Sequence, residues 1–171
     1  MKYQIFFIIV LFLSCFSNFS WAAETKDGVN HIELAAVMLK DGHHDRALLA
    51  LQSVDLGDKK TDLTRFYTLQ GLAYMGLNDL EAAKDSLQLA IKNGQKDPAI
   101  YIYLAQSYFG LKDYQKTIDA IQKAGNQVNK NPSLLSMKAE SYWHLQDVNA
   151  AINALNEGQR LFPADFRFQK R

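Results

Sequence analysis

Side chains recur along this chain at a fixed interval of 34 residues. The repeated columns are Gly71, Ala105 and Ala139; Tyr74, Tyr108 and Tyr142; Leu77, Leu111 and Leu145; Asp79, Asp113 and Asp147; Leu87, Ile121 and Leu155; and Ala90, Ala124 and Gly158. A period of this length is typical of arrays in which each unit is one small motif that buries its apolar face on its neighbours. The columns therefore predict a repeat array.

Each unit reads as a pair of amphipathic helices. Apolar residues at helical spacing predict first helices over 64–77, 98–111 and 132–145, and second helices over 80–93, 114–125 and 148–160. Asp97-Pro98 and Asn131-Pro132 are strong helix start signals. The aspartate column stands where it can cap the second helices, and the small-residue column lies where two helices must approach closely. The tyrosine column is expected to fill the wider gaps, with an aromatic binding stripe as the alternative.

These columns resemble the tetratricopeptide repeat. The pattern predicts units at 64–97, 98–131 and 132–165, a degenerate unit at 28–61, and the start of a further or capping helix at 166–171. The resemblance implies an all-α fold, a right-handed superhelix of antiparallel helix pairs with about four repeats. The chain departs from the pattern at five positions, which are Gln70, Lys138, Thr117, Gln95 and Asn129.

The resemblance also implies a binding surface, because positions 2, 5, 9 and 12 of each unit of this family face a concave groove. The predicted groove residues are Arg65, Thr68, Leu72, Met75, Ile102, Gln106, Phe109, Ser136, Glu140 and Trp143, with Ala99, Ser133 and four residues of the degenerate unit (Val29, Ile32, Ala36 and Leu39) in the same columns. One family subclass grips a carboxylate with Lys and Asn at these positions, and the three clear units have neither residue there.

We therefore expect an apolar peptide or helix with few charges as the partner, with Phe109 and Trp143 as its anchors. Arg65 is then the one candidate for holding an anion. The alternative for Phe109 and Trp143 is that they pack on the next repeat.

Residues 1–22 have the pattern of a signal peptide: Lys2, an apolar run from Ile5 to Phe16, and small residues Ser20 and Ala22 before a predicted cut at Ala23. The chain is thus expected to be exported, with a periplasmic location. An uncleaved N-terminal anchor is one alternative. Another is an outer-membrane lipoprotein lipidated at Cys15, the only cysteine.

The sequence predicts no catalytic residues, no metal and no cofactor. There is no glycine-rich phosphate loop and no zinc-binding helix motif. The adjacent His43 and His44 cannot easily share an ion, because neighbouring helical side chains point about 100° apart. The 19 basic and 18 acidic residues are nearly balanced and form no basic run, so nucleic acid is not an expected partner.

The functional hypothesis is a periplasmic scaffold or adaptor that binds protein segments for envelope assembly, secretion or polysaccharide export. The alternative is the N-terminal repeat region of a longer outer-membrane or enzymatic protein. The terminal residues 166–171 start another first helix, so we expect a longer array or homo-oligomer pairing through this end.

Overall fold

The computed structural model describes residues 29–169, and this range contains no β-strand. The predicted signal peptide and Cys15 lie outside the described residues. Within them the chain forms eight α-helices: α1 His31–Lys40, α2 His44–Gln52, α3 Leu63–Gly76, α4 Leu80–Lys92, α5 Ala99–Gly110, α6 Tyr114–Lys123, α7 Pro132–His144 and α8 Val148–Leu161. Two 3-10 helices, Gly125–Lys130 and Phe166–Phe168, follow α6 and α8.

The helices are arranged as four hairpins in a row. Each odd-numbered (first) helix packs on the even-numbered (second) helix that follows it, and each second helix packs on the next first helix. First helices also contact one another, α1 with α3, α3 with α5, and α5 with α7. The first helices therefore form one continuous layer along the array.

All four hairpins turn in the same way. In each turn, the residue two positions before the second helix begins has a positive φ. These residues are Gly42 (78°), Asn78 (60°), Lys112 (62°) and Gln146 (64°). A left-handed residue at this point closes the end of a helix by returning backbone N–H groups to its last carbonyls. Only glycine adopts this conformation without cost, so Lys112 and Gln146 are held there by the helices on either side.

The aspartate column caps the second helices, as the sequence predicts. The side chains of Asp79, Asp113 and Asp147 accept from the backbone N–H three residues later, at 3.1, 3.3 and 3.0 Å. Lys116 also donates to Asp113, and this hydrogen bond holds the pKa of the Asp113 carboxyl below its usual range. A carboxylate at a helix N-terminus also complements the helix dipole.

Small residues set the distance between the two helices of a hairpin. A β-carbon added to Gly71 would lie 2.7 Å from the Cγ of the fully buried Leu87. Ala105 and Ala139, the next members of that column, are buried as well. Thr117, a departure from the family pattern, is buried and satisfies its hydroxyl by donating to the Asp113 carbonyl at 2.9 Å.

The end of the described chain docks on the last hairpin. Phe168 is buried against Gly158, where an added β-carbon would meet its ring. Asp165 caps this short segment by accepting from Arg167 N, and its pKa falls to about 2 because the Arg167 side chain hydrogen-bonds to it. Arg167 reaches back to the Ser133 hydroxyl at 2.7 Å.

The outer face of α8 is less covered than the matching face of α6. Ile152 and Leu155 are 50% and 41% exposed, whereas Ile118 and Ile121, one repeat earlier, are 2% and 1% exposed. In the third hairpin the first helix of the next hairpin, α7, covers that face. The Leu155 column is therefore core in the inner hairpins and surface in the fourth.

We predict that Gly71→Ala lowers the free energy of unfolding by about 1 kcal/mol. Alanine favours a helix by about 1 kcal/mol over glycine, but overpacking against Leu87 costs about 1–3 kcal/mol. Urea unfolding followed by far-UV circular dichroism measures the difference. In a Leu87→Ala background the same change is expected to be neutral or stabilising. A higher urea midpoint for Gly71→Ala alone would show that the helix approach at this column is not tight.

Candidate partner-binding groove

The ten predicted groove residues lie on the three first helices α3, α5 and α7. They recur at spacings of three and four residues, so on each helix they share one face. None of the ten is fully buried. Arg65, Glu140 and Trp143 are exposed, and the other seven are half-buried. Because α3, α5 and α7 contact one another in turn, these faces join into one surface, which we call the first-helix groove.

At the upstream end of the first-helix groove, Arg65 is already engaged. Its two terminal nitrogens donate to the two carboxylate oxygens of Glu33 on α1, at 2.5 and 2.7 Å. Such a bidentate pair uses both prongs of the guanidinium fork. The sequence singles out Arg65 as an anion holder, and the structure gives it an anion from its own chain.

Further along the groove, Thr68 on α3 is hydrogen-bonded to the loop that follows α4. Thr68 donates to the Thr64 carbonyl at 2.7 Å and accepts from the Gln95 side chain at 3.3 Å. Gln95 stands where the family pattern has proline, and its side-chain oxygen also accepts from the next two backbone N–H groups. Met75 and Ile102 pack against the main core, which leaves less of their surface available to a partner.

At the downstream end, Phe109 and Trp143 occupy the same repeat position in different surroundings. Phe109 is half-buried and meets Tyr114 edge-on, with ring centroids 6.0 Å apart. Trp143 is 64% exposed, and no aromatic pair among the described residues includes it. The alternative that both simply pack therefore fits Phe109 and not Trp143. Glu140 lies one turn before Trp143 and is also exposed.

A contact between hairpins that the sequence analysis did not identify explains the position of Phe109. The residue that opens each second helix packs on the end of the next first helix. His44 lies against Gly76, and Leu80 lies against Gly110, where an added β-carbon would clash. At the next step Tyr114 stacks on His144 with centroids 4.3 Å apart.

The 34-residue spacing of Gly76, Gly110 and His144 is the sequence signal for this contact. The stacking contact holds Tyr114 between two hairpins, where its ring also contacts Phe109. Phe109 is therefore partly covered by a residue of the repeat array itself.

Groups with shifted pKa values lie outside the first-helix groove. Lys84, Lys116 and Arg167 have raised pKa values, and Asp113 and Asp165 lowered ones, each chiefly through a hydrogen bond to an oppositely charged neighbour. The residues described contain no group of three His, Cys, Asp or Glu side chains able to hold a metal. None of the described helices combines the length and the apolar character that crossing a membrane requires.

Comparison with known proteins agrees with this architecture. A tetratricopeptide repeat family model matches residues 64–93, and a model described as anaphase-promoting complex, cyclosome, subunit 3 matches residues 89–158. The search of curated proteins gives no match.

Among solved structures, the chain resembles Cut9 of the APC/C hetero-tetramer Cut9-Hcn1, with a TM-score of 0.64, 21% identity, and coverage of 81% of this chain and 28% of that one. It resembles MamA of AMB-1 with a TM-score of 0.71 and 14% identity, covering 81% of this chain and 74% of that one. For MamA of MSR-1 the values are 0.69, 15%, 81% and 78%. The chain thus spans under a third of the Cut9 structure, and at these identities the likeness shows the fold.

The fold is a helical solenoid, and a fold of this kind suggests a protein-interaction scaffold. Over residues 64–158 the chain matches family models of the tetratricopeptide-repeat type. Both the predicted family and the predicted fold class are confirmed. The repeat boundaries and the assignment of the ten residues to partner binding stay predictions.

We predict that Phe109→Ala destabilises the fold and that Trp143→Ala does not. Phe109→Ala removes the contact with Tyr114 and buried area worth about 1–2 kcal/mol. Substitution of an exposed side chain away from such contacts changes stability by about 0.5 kcal/mol or less. Urea midpoints of the two variants measure this. A loss of stability with Trp143→Ala as large as that with Phe109→Ala would mean that Trp143 is a packing residue.

Proposed function

We propose that this chain is a protein-interaction scaffold that holds a peptide segment or a helix of a partner in the first-helix groove. The observation that carries the proposal is Trp143, 64% exposed on the face shared with Glu140 and Ser136. Tryptophan is among the residue types most enriched at the energetic centres of protein interfaces.

The area of Trp143 gives the scale of this effect. A tryptophan buries about 150–250 Å², and at about 25 cal/mol per Å² its full burial contributes roughly 4–6 kcal/mol. With 64% of it exposed, a partner gains on the order of 3 kcal/mol before ordering costs. One anchor of this kind supports weak binding, and the half-buried Leu72 and Phe109 add area along the same face.

We infer that the chain is not an enzyme. Strongly perturbed pKa values in a cleft are a mark of catalytic sites, and the shifted groups described above are ion pairs away from the groove. Tetratricopeptide repeats typically serve as scaffolds, which supports the same conclusion. The Cut9 structure it resembles is part of an assembly with Hcn1.

We further propose that the chain works in the bacterial periplasm, in envelope assembly, secretion or polysaccharide export. The signal-peptide pattern of residues 1–22 supports this proposal. With Cys15 removed by cleavage at Ala23, the exported chain has no thiol to be oxidised there.

We predict that a photoreactive amino acid at Ser136 captures a partner in producing cells, and that the same amino acid at Asn153 does not. Ser136 lies in the groove, whereas Asn153 is exposed on the second helix of the same hairpin, in a crevice with Lys138 and Glu157. Mass spectrometry identifies the adduct, and purified partner is then tested for binding. Adding Trp143→Ala is expected to remove the Ser136 adduct. Equal adduct yields at both positions would exclude the groove as the binding surface.

We predict that the chain is released by osmotic shock with its N-terminus at Ala23. Intact-mass measurement of the released protein checks the cut, and Ala22→Arg, which replaces the small residue before it, is expected to leave the chain unprocessed. A mass fitting an acylated N-terminus at Cys15 would indicate the lipoprotein instead. Recovery of the uncut chain in the cytoplasm would contradict export.

A further inference from the structure

The first-helix groove carries one carboxylate that the described chain leaves without a strong partner. Two of its ten residues are charged, Arg65 and Glu140. Arg65 is paired with Glu33, as shown above. The Glu140 side chain is 55% exposed, and its one ion-pair contact among the described residues is His144 Nε2 at 3.9 Å, beyond hydrogen-bond distance.

Nearby cations of the last hairpin are directed elsewhere. Arg167, which approaches the start of α7 through Ser133, is held by Asp165. Lys138, on α7 itself, pairs with Glu157 of α8 at 3.7 Å, on the far side from the groove. His144 is occupied by stacking on Tyr114. Among residues 29–169, the negative charge at the downstream end of the groove has no ion-pair partner closer than His144.

Glu140 and Trp143 are three residues apart on α7, so their side chains lie on the same face about 5–6 Å apart at the β-carbons. A cation between them meets a carboxylate and the face of an indole together. Tryptophan is the strongest aromatic partner for a cation, and a planar guanidinium stacks on it better than an ammonium does. An acidic side chain in the same place would be repelled by Glu140.

We propose that the segment bound in the first-helix groove carries an arginine or lysine beside its apolar anchor, and that Glu140 and Trp143 together form the pocket for that basic residue. This inference rests on the proposed function and names the chemistry of its partner. Glu140 sets the preference for a positive charge, and Trp143 supplies both apolar area and a stacking surface. The neutral Gln106, which has the place of Glu140 one repeat earlier, provides no such preference.

A phage-displayed library of random dodecapeptides, selected on the full chain and counter-selected on Trp143→Ala, tests this inference. Peptides that need Trp143 are expected to be enriched in arginine or lysine next to a leucine, isoleucine or aromatic residue. Selection on Glu140→Gln is expected to lose the basic residue and keep the apolar one. Enrichment of acidic or uncharged peptides on the wild-type chain would overturn the inference.

The selected peptide and a twin with its basic residue changed to glutamine are then titrated by fluorescence anisotropy. The twin is expected to bind the wild-type chain about 3- to 10-fold more weakly, from the typical strengths of exposed charge pairs and cation–π contacts. Against Glu140→Gln the difference should shrink to about twofold or less, while Glu157→Gln, a matched control on α8, keeps it.

The outcomes separate the two proposals. Trp143-dependent binding that ignores the peptide's charge overturns this inference and leaves the groove as a binding surface. If no peptide depends on Trp143, both proposals fail.

Discussion

Everything in this structure depends on how closely the two helices of each hairpin approach. Gly71, Ala105 and Ala139 on the first helices, opposite small or hydroxyl-satisfied residues on the second, let the axes come together without displacing leucine side chains such as Leu87. Ridges of one helix can enter the grooves of the other only at such a distance. Because a small buried residue recurs at this position in three successive hairpins, each can pack closely, and the first helices contact one another in a row. The groove is a consequence of that regularity.

The helices could be read from the sequence because their signals are local. Apolar spacing and the capping aspartates place the second helices within one or two residues of the bounds observed. The positive φ in each of these turns was not predicted, because Lys112 and Gln146 are not residues that favour it. Their conformation is imposed by the two helices that each turn must connect. The stacking of Tyr114 on His144 was not predicted for a similar reason, because it joins two hairpins. It can be recognised in the sequence only when the column of Gly76, Gly110 and His144 is aligned with the first residues of the second helices.

The repeat register predicts which residues lie in the groove, but it does not predict whether their side chains are paired, covered or exposed. Arg65 reads as a free cation in the sequence, yet it pairs with Glu33 of a degenerate unit that is offset by an irregular loop. Phe109 and Trp143 share a column, and only the second is open to solvent. Phe109 is covered by Tyr114 of its own hairpin, which in turn stacks on His144 of the next hairpin. A family pattern names which side chains face the groove, and the contacts between hairpins decide which of them remain available for a partner.

Periodicity and departure from it therefore carry different information. Residues that recur every 34 positions, such as Ala105 and Leu87, are buried and account for the stacking of the hairpins. They carry no information about which partner is bound. The proposed function rests on positions where α7 departs from the repeat, since Gln106, Phe109 and Gly110 are followed 34 residues later by Glu140, Trp143 and His144. These three changes replace a neutral, largely covered surface by an acidic one with an open indole. Packing of the array does not require the change at Glu140 or Trp143, because both side chains are exposed. A charge and an aromatic ring that add nothing to the core are best explained by what they would meet outside it.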